Sequence, residues 1–185
     1  QIEYSYYVDY KQKKQDSQLK GGRDYVFGLR TRFHVIRAAY GFKRTIADKA
    51  ARNGVRLSAI FFGGVSFGLL KPYYLNLVQP ATDSLIPAIK PEQYSEANAD
   101  RFLNKAYIVE AAPIRYGLSK MQPVAGLHVK SGLDFDWGTK DEFVKALEAG
   151  IMMDFYYKRL PIMANSSNRF YQFAFYISFQ FGKRW

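Results

Sequence analysis

The sequence has no cysteine, only two histidines and no long apolar run. The lack of cysteine fits an oxidising compartment, where a free thiol would be a hazard, although many cytosolic proteins also lack it. Because no stretch of about 18 apolar residues occurs, a transmembrane helix is excluded. No secretory signal is visible at Gln1, so we expect an exported form to be a processed or trimmed chain.

Aromatic residues are abundant instead. They make up 17% of the 185 residues, with 15 Tyr and 15 Phe, while the mean hydropathy is only -0.27. Apolar and polar residues must therefore be finely interleaved. The net charge of +11 suits nucleic acid, anionic lipid head groups or an acidic partner. At this length we expect one domain, spanning 1–185.

The C-terminal segment FYQFAFYISFQFGKRW (170–185) alternates with a period of two, which predicts a strand. One face carries Tyr171, Phe173, Phe175, Ile177, Phe179 and Phe181, and the other carries Gln172, Ala174, Tyr176, Ser178, Gln180 and Gly182. Two environments accept such a strand. In a soluble sandwich the aromatic face would cover a core, whereas in an outer-membrane barrel it would contact lipid.

The same alternation predicts further strands over 145–157, 124–138 and 55–72. In the last of these we favour one long strand, with a hairpin at Gly63 and Gly64 as the rival. Weaker strands are predicted over 34–45 and 2–11. Residues 24–32 fit either another strand or a short helix.

Charged residues lie in mid-strand, opposite large apolar residues. Unpaired charges in a sheet buried on both faces would cost several kcal/mol each, so one face must be wet or ionically paired. We predict that this face lines a lumen. Its predicted polar network consists of Arg56, His128, Lys130, Asp134, Asp136, Glu148, Asp154 and Arg184. Small residues on the same face leave room for these side chains, at Gly64, Gly68, Gly126, Gly132 and Gly150.

Four of these carboxylates could alternatively form a metal cage: Asp134, Asp136, Glu148 and Asp154. We favour salt bridges to Lys130, Arg56 and Arg184, since calcium sites usually draw ligands from a compact loop. We therefore expect no metal and no cofactor. Such a network would block a pore in a barrel of about eight strands.

The connections between predicted strands alternate in length. The link GTKDE (138–142) is short, 158–169 is longer, and 80–122 is a long loop with a possible short helix at 91–107. Aromatic residues at the strand ends fit two interfacial girdles, with Trp137 and Trp185 at the periplasmic rim and Tyr157 and Tyr171 at the outer rim. The sequence thus predicts an all-β fold: an antiparallel transmembrane β-barrel of about eight strands, with short periplasmic turns and longer outer loops.

The C-terminal strand resembles the signal that the barrel-assembly machinery reads in outer-membrane barrels; its residues are Phe173, Phe175, Ile177, Phe179, Phe181 and Trp185. The segments GGVSFGLLKPYYL, LPIMAN and FGKRW resemble a largely uncharacterised family of small, OmpA/OmpX-like outer-membrane barrels from Bacteroidota. The resemblance covers 24–185 and implies a bacterial outer-membrane location and an architecture, not an activity. It also implies further strand material before Gln1.

Two other functional classes are disfavoured. His34 lies on the lipid-facing parity, and His128 lies in mid-strand on the lumen face with no Ser in an evident nucleophile motif. Packed, hydrogen-bonded histidines are therefore expected, and an enzyme is not. Lys and Arg concentrate at strand ends and links, where they would meet lipid phosphates or lipopolysaccharide. With no RNP-type motif or basic helix, we expect no nucleic-acid partner.

We therefore expect a structural or accessory subunit of a larger envelope complex for secretion, uptake or barrel assembly. Its partners would be outer-membrane lipid, lipopolysaccharide, the barrel-assembly machinery during insertion, and other outer-membrane or periplasmic proteins. The alternatives are a narrow channel or ligand-binding barrel and, third, a soluble lipocalin-like carrier.

Overall fold

The structure, a computed structural model, describes residues 1–9, 11–48, 54–80, 88–137, 143–165 and 168–183, with the side chains of 143, 144 and 183 left aside. Long strands dominate it. In chain order the strands are β1 (Ile2–Tyr7), β2 (Lys14–Gln15), β3 (Tyr25–Val26), β4 (Thr31–Ala47), β5 (Arg56–Pro72), β6 (Tyr74–Val78), β7 (Ile89–Gln93), β8 (Ile108–Ala111), β9 (Gln122–Asp136), β10 (Phe143–Leu160) and β11 (Arg169–Lys183).

Six strands form the main sheet, in the order β1-β4-β5-β9-β10-β11. Every adjacent pair is antiparallel. The sheet curls into a half-barrel, which confirms the predicted antiparallel all-β class. Within the described part of the chain this sheet does not close, because β1 and β11 each pair on one side only.

The period-two alternation located the long strands correctly. β5 runs without interruption from Arg56 to Pro72, so the rival hairpin at Gly63 and Gly64 is wrong. A tight hairpin turn of the favoured types needs positive φ angles, and neither glycine has one. Gly64 serves a different purpose: a Cβ there would lie 2.1 Å from the Ala38 carbonyl oxygen of β4. The glycine thus permits close approach of two strands.

Two short segments differ from their predictions. Residues 24–32 form neither one strand nor a helix: β3 ends at Val26, the chain turns at Gly28 with a φ of 71°, and β4 begins at Thr31. A positive φ suits glycine and breaks either regular structure. The first strand ends at Tyr7, before the predicted limit, and Tyr10 lies outside the described residues.

The segment 80–122 was predicted to be a loop, yet it contains strands. β7 and β8 flank β6 in a second, three-stranded sheet. The predicted helix at 91–107 is reduced to α1 (Ala99–Phe102), with 3₁₀ turns at Glu96–Asn98 and Lys105–Tyr107. Their sequences, IKPEQ and IVEA, do not alternate between apolar and polar residues, so a period of two does not mark them as strands.

We call the described residues of 8–30, 73–121 and 161–168 the cap, since these three connections all leave the same end of the main sheet. The cap and this sheet end share one apolar core. Phe33 of β4 meets Tyr156 of β10 edge to face, with ring centroids 5.2 Å apart. Other core members are Leu29, Leu70, Tyr73, Leu75, Leu77, Phe102, Ile108, Val124, Leu160, Ile162 and Met163. The core therefore covers one end of the concave face. At the opposite sheet end, the connections between strands are short in sequence, at 48–55 and 137–142.

Candidate functional site

The concave face of the main sheet carries a buried ionic network, and Asp154 of β10 lies at its centre. Arg37 of β4 donates two hydrogen bonds to this carboxylate. Its Nη2 donates to Oδ2 at 2.6 Å, and its Nε donates to the same oxygen at 2.9 Å. His128 of β9 places Nδ1 2.9 Å from Oδ1. Arg37 also donates to Ser5 Oγ of β1 at 2.7 Å. Side chains of four strands thus meet at one point.

A second cluster surrounds Lys130 of β9. Its ammonium group lies 2.9 Å from a carboxylate oxygen of Glu148 on β10 and 2.9 Å from one of Glu3 on β1. It also lies 4.3 Å from the centroid of the Tyr176 ring of β11, within the range of a cation–π interaction. Gln180 donates to the other oxygen of Glu148 at 2.7 Å.

The remaining predicted network residues lie nearer the uncapped end. Asp134 is buried and paired with Lys43 of β4. Asp136 is also buried and stands opposite Arg56 in the β5–β9 register, while Arg56 bonds to Asp48 at 2.8 Å. Arg184 lies outside the described residues.

Glycines make the space that this network occupies. Gly132 of β9 and Gly150 of β10 are direct partners in the register. A Cβ on Gly132 would lie 2.5 Å from the Tyr176 hydroxyl oxygen, and one on Gly150 would lie 2.9 Å from the same atom. The Tyr176 side chain therefore lies across two neighbouring strands that carry no side chain there, and this positions its ring against Lys130.

The convex face has the opposite chemistry. Phe175 is 78% exposed, whereas Asp134 is 1% exposed, although both lie on strands of one sheet. The residues predicted as the assembly signal are exposed on this face, namely Phe173, Phe175, Ile177, Phe179 and Phe181. Of the predicted girdle, Trp137 lies at the uncapped end and Tyr157 and Tyr171 at the capped end, all exposed. Trp185 lies outside the described residues.

The predicted salt bridge between Glu148 and Lys130 is confirmed, but one partner of three other ion pairs was missed. Glu3, Ser5, Arg37 and Lys43 were not assigned to the network, although they bond to its members. A signal was available: each lies on the parity opposite the outward aromatic residues of β1 and β4. What the pattern does not contain is the pairing itself, because the curl of the sheet decides which strands face each other.

In this network, acidic and basic side chains are held in fixed positions where their charges neutralise one another. A buried carboxylate that is paired with a cation and hydrogen-bonded avoids much of the desolvation cost that an isolated charge would carry. Among the residues that the structure describes, no group of three or more His, Asp or Glu side chains is arranged to hold a metal ion.

In the described part of the chain, no helix has both the length and the apolar character needed to cross a membrane. Comparisons with protein-family models, with curated proteins and with solved structures find no match to this chain. The resemblance to Bacteroidota outer-membrane barrels therefore stays a prediction.

Proposed function

We propose that the protein is an integral β-barrel protein of the bacterial outer membrane and acts as a structural or accessory subunit of a larger envelope complex. One observation carries this proposal: the main sheet exposes its aromatic face and encloses its ionic face. In water this arrangement would leave a broad apolar surface unprotected. Against acyl chains the same surface is favourable, and the enclosed charges are shielded from lipid.

Closure of the barrel is part of the proposal. In the described residues β1 and β11 are the edges of the sheet, and they run in opposite directions because the directions alternate along six strands. An antiparallel barrel can therefore close either directly or with an even number of added strands. Two more strands give eight. Open edges in hydrocarbon would leave backbone groups without hydrogen bonds, at several kcal/mol each.

The contents of the barrel favour an accessory role over transport. Arg37 reaches Asp154 from three strands away in the sheet order, and Lys130 likewise reaches Glu3. These bonds cross the concave side, and the apolar core covers one end of it. A free path for solutes is not expected in so small a barrel. The cap then offers a surface for other outer-membrane or periplasmic proteins.

The membrane proposal is tested by fractionation combined with heat-modifiability on a gel. We expect the protein in the outer-membrane fraction, inserted by the barrel-assembly machinery, with faster migration in SDS before boiling than after it. Recovery in the soluble fraction without detergent would contradict the proposal and favour the lipocalin-like carrier.

The accessory role needs a separate test. Affinity purification from membranes in mild detergent is expected to recover the protein with a stable partner. A lone monomer in every mild detergent would contradict the accessory role. Reproducible single-channel conductance across a planar bilayer would favour the narrow channel instead.

A further inference from the structure

A cavity of about 470 Å³ lies where the cap meets the ends of β4 and β5. Four basic side chains line it, those of Lys14, Arg23, Arg32 and Lys71, with Asp24 as the acidic one. Two of the four cations form salt bridges: Lys14 pairs with Asp24 at 2.8 Å, and Arg23 pairs with Glu110 at 3.0 Å. The other two cations of the cavity are Arg32 and Lys71.

Arg32 and Lys71 are direct cross-strand partners in the β4–β5 register. Like charges in that position repel each other. Within the described residues, neither side chain forms an ion pair with a carboxylate. The cavity therefore holds an excess of positive charge that the protein itself does not neutralise.

Both groups are also partly removed from water. Lys71 is 5% exposed, and its ammonium group donates to the Ile114 carbonyl oxygen. The guanidinium of Arg32 lies over the Tyr73 ring, 5.0 Å from its centroid, and its buried Nε has no hydrogen-bond partner. A buried cation without a counter-ion is costly, so an anion between these two side chains would be strongly favourable.

The position of the cavity suggests which anion. Arg32 and Lys71 have the parity of the outward face, and the next outward residues toward the middle of the sheet include Ile36, Phe67 and Leu69. Under the proposed membrane placement, the cavity thus lies where the apolar band ends and lipid head groups begin. Arg and Lys side by side suit a phosphate group, which offers several acceptor oxygens.

We propose that this cavity binds a phosphate group carried on the head group of an outer-membrane lipid, with Arg32 and Lys71 as its cationic ligands. The phosphate chemistry rests on the cavity alone, whereas the lipid source rests on the proposed membrane location. The cavity volume is within the range of small-ligand sites and leaves room for part of the head group beside the phosphate.

The test measures binding of three probes to the purified full chain in non-ionic detergent, by calorimetry and native mass spectrometry. The probes are short-chain phosphatidic acid, diacylglycerol of the same chain length, and inorganic phosphate. We expect phosphatidic acid to bind more tightly than either of the others. Arg32→Gln and Lys71→Gln should each weaken its binding about tenfold or more.

The matched control removes two charges from exposed positions at the same sheet end, Lys158→Gln with Arg159→Gln. This variant should bind phosphatidic acid as the wild type does. An equal loss in the control and in the Arg32→Gln/Lys71→Gln variant would overturn the site. Equal affinity for inorganic phosphate and phosphatidic acid would overturn the lipid source and assign the site to free phosphate.

Thermal unfolding measurements show whether each variant is folded. Without phosphate, Arg32→Gln should unfold at the same temperature as the wild type or higher, because one of two repelling charges is gone. Phosphatidic acid should raise the midpoint of the wild type but not that of Arg32→Gln. An equal rise in both proteins would overturn the site even if the protein fractionates with the outer membrane. A soluble protein whose phosphate binding still needs Arg32 and Lys71 would instead overturn the membrane proposal and keep the phosphate site.

Discussion

At the scale of single residues, the proposed membrane location depends on which face of the main sheet each charged or aromatic side chain occupies. Phe175 is the most exposed of the C-terminal phenylalanines and lies near the middle of β11. A soluble protein would gain from a polar residue there, and a membrane protein would not. The two environments therefore predict opposite signs for one substitution.

Phe175→Arg is the first prediction. If this face contacts lipid, a charge near the mid-plane should destabilise the inserted protein by about 2–4 kcal/mol. The loss is measured by denaturant unfolding in lipid vesicles and by the yield of folded, heat-modifiable protein. Leu118→Arg, at an exposed apolar position of the cap, is the control and should have little effect. Unchanged or improved folding of Phe175→Arg without detergent would refute contact with lipid.

Arg37→Met is the second prediction, aimed at the concave face. It removes the arginine partner of the buried Asp154 carboxylate, which keeps its contact with His128 Nδ1 at 2.9 Å. Breaking a buried pair from one side costs about 3–5 kcal/mol, whereas replacing both partners with apolar residues costs much less. The double variant Arg37→Met/Asp154→Leu should therefore be more stable than Arg37→Met in urea titrations.

Arg159→Met serves as the matched control, because Arg159 is exposed at the end of β10. It should unfold at nearly the wild-type urea concentration. If Arg37→Met does the same, the ion pair contributes nothing to holding the strands together.

At the scale of elements, strand alternation was sufficient to predict the long strands of the main sheet and insufficient to predict the cap. β5, β9, β10 and β11 are long enough to alternate many times between apolar and polar residues. The face on which each of their side chains lies could therefore be predicted. The cap has short strands and a core that mixes inward residues such as Phe33 with loop residues such as Leu29. No single period describes such a core. The Lys130–Glu148 pair between neighbouring strands was predicted, whereas the pairs that cross the concave side, Arg37–Asp154 and Lys130–Glu3, were not, since their partner choice follows from the curl of the sheet.

The third prediction concerns the cap and pH. Burial would raise the pKa of Glu92, but hydrogen bonds from Asn98 and Gln79 and the charge of Arg101 outweigh it, and the pKa lies below its ordinary value of 4.5. A carboxylate with a lowered pKa stabilises the fold above its unfolded pKa, and this stability is lost as pH falls through the folded pKa.

The cap should accordingly lose up to about 1 kcal/mol from this group below about pH 4.5. Near-UV circular dichroism of thermal unfolding at pH 6 and at pH 3.5 measures the change. Glu92→Gln should lower the midpoint at pH 6 and narrow the difference between the two pH values. The same difference in wild type and variant would show that Glu92 is not the responsible group.

At the scale of the whole molecule, the open edge of the sheet is what most distinguishes the described structure from a membrane barrel. β11 pairs with β10 on one side only. In an antiparallel edge strand, every second backbone N–H group points away from the neighbouring strand. In water the hydrogen of such a group exchanges, and in lipid the group lacks a hydrogen-bond acceptor. A closed barrel has no such groups.

The fourth prediction is therefore that amides of β11 in membrane-embedded protein resist hydrogen exchange as fully as those of the central strand β9. Mass spectrometry with fragmentation at single-residue resolution measures this, and the exposed cap residue Ile114 provides the fast-exchanging reference. In the six-stranded sheet, every second amide of β11 points away from β10 and has no partner strand. Two further strands between β11 and β1 would protect these amides. Slow and fast amides alternating along β11 would mean that the sheet stays open, and the eight-stranded closure would have to be abandoned even if the protein resides in the membrane.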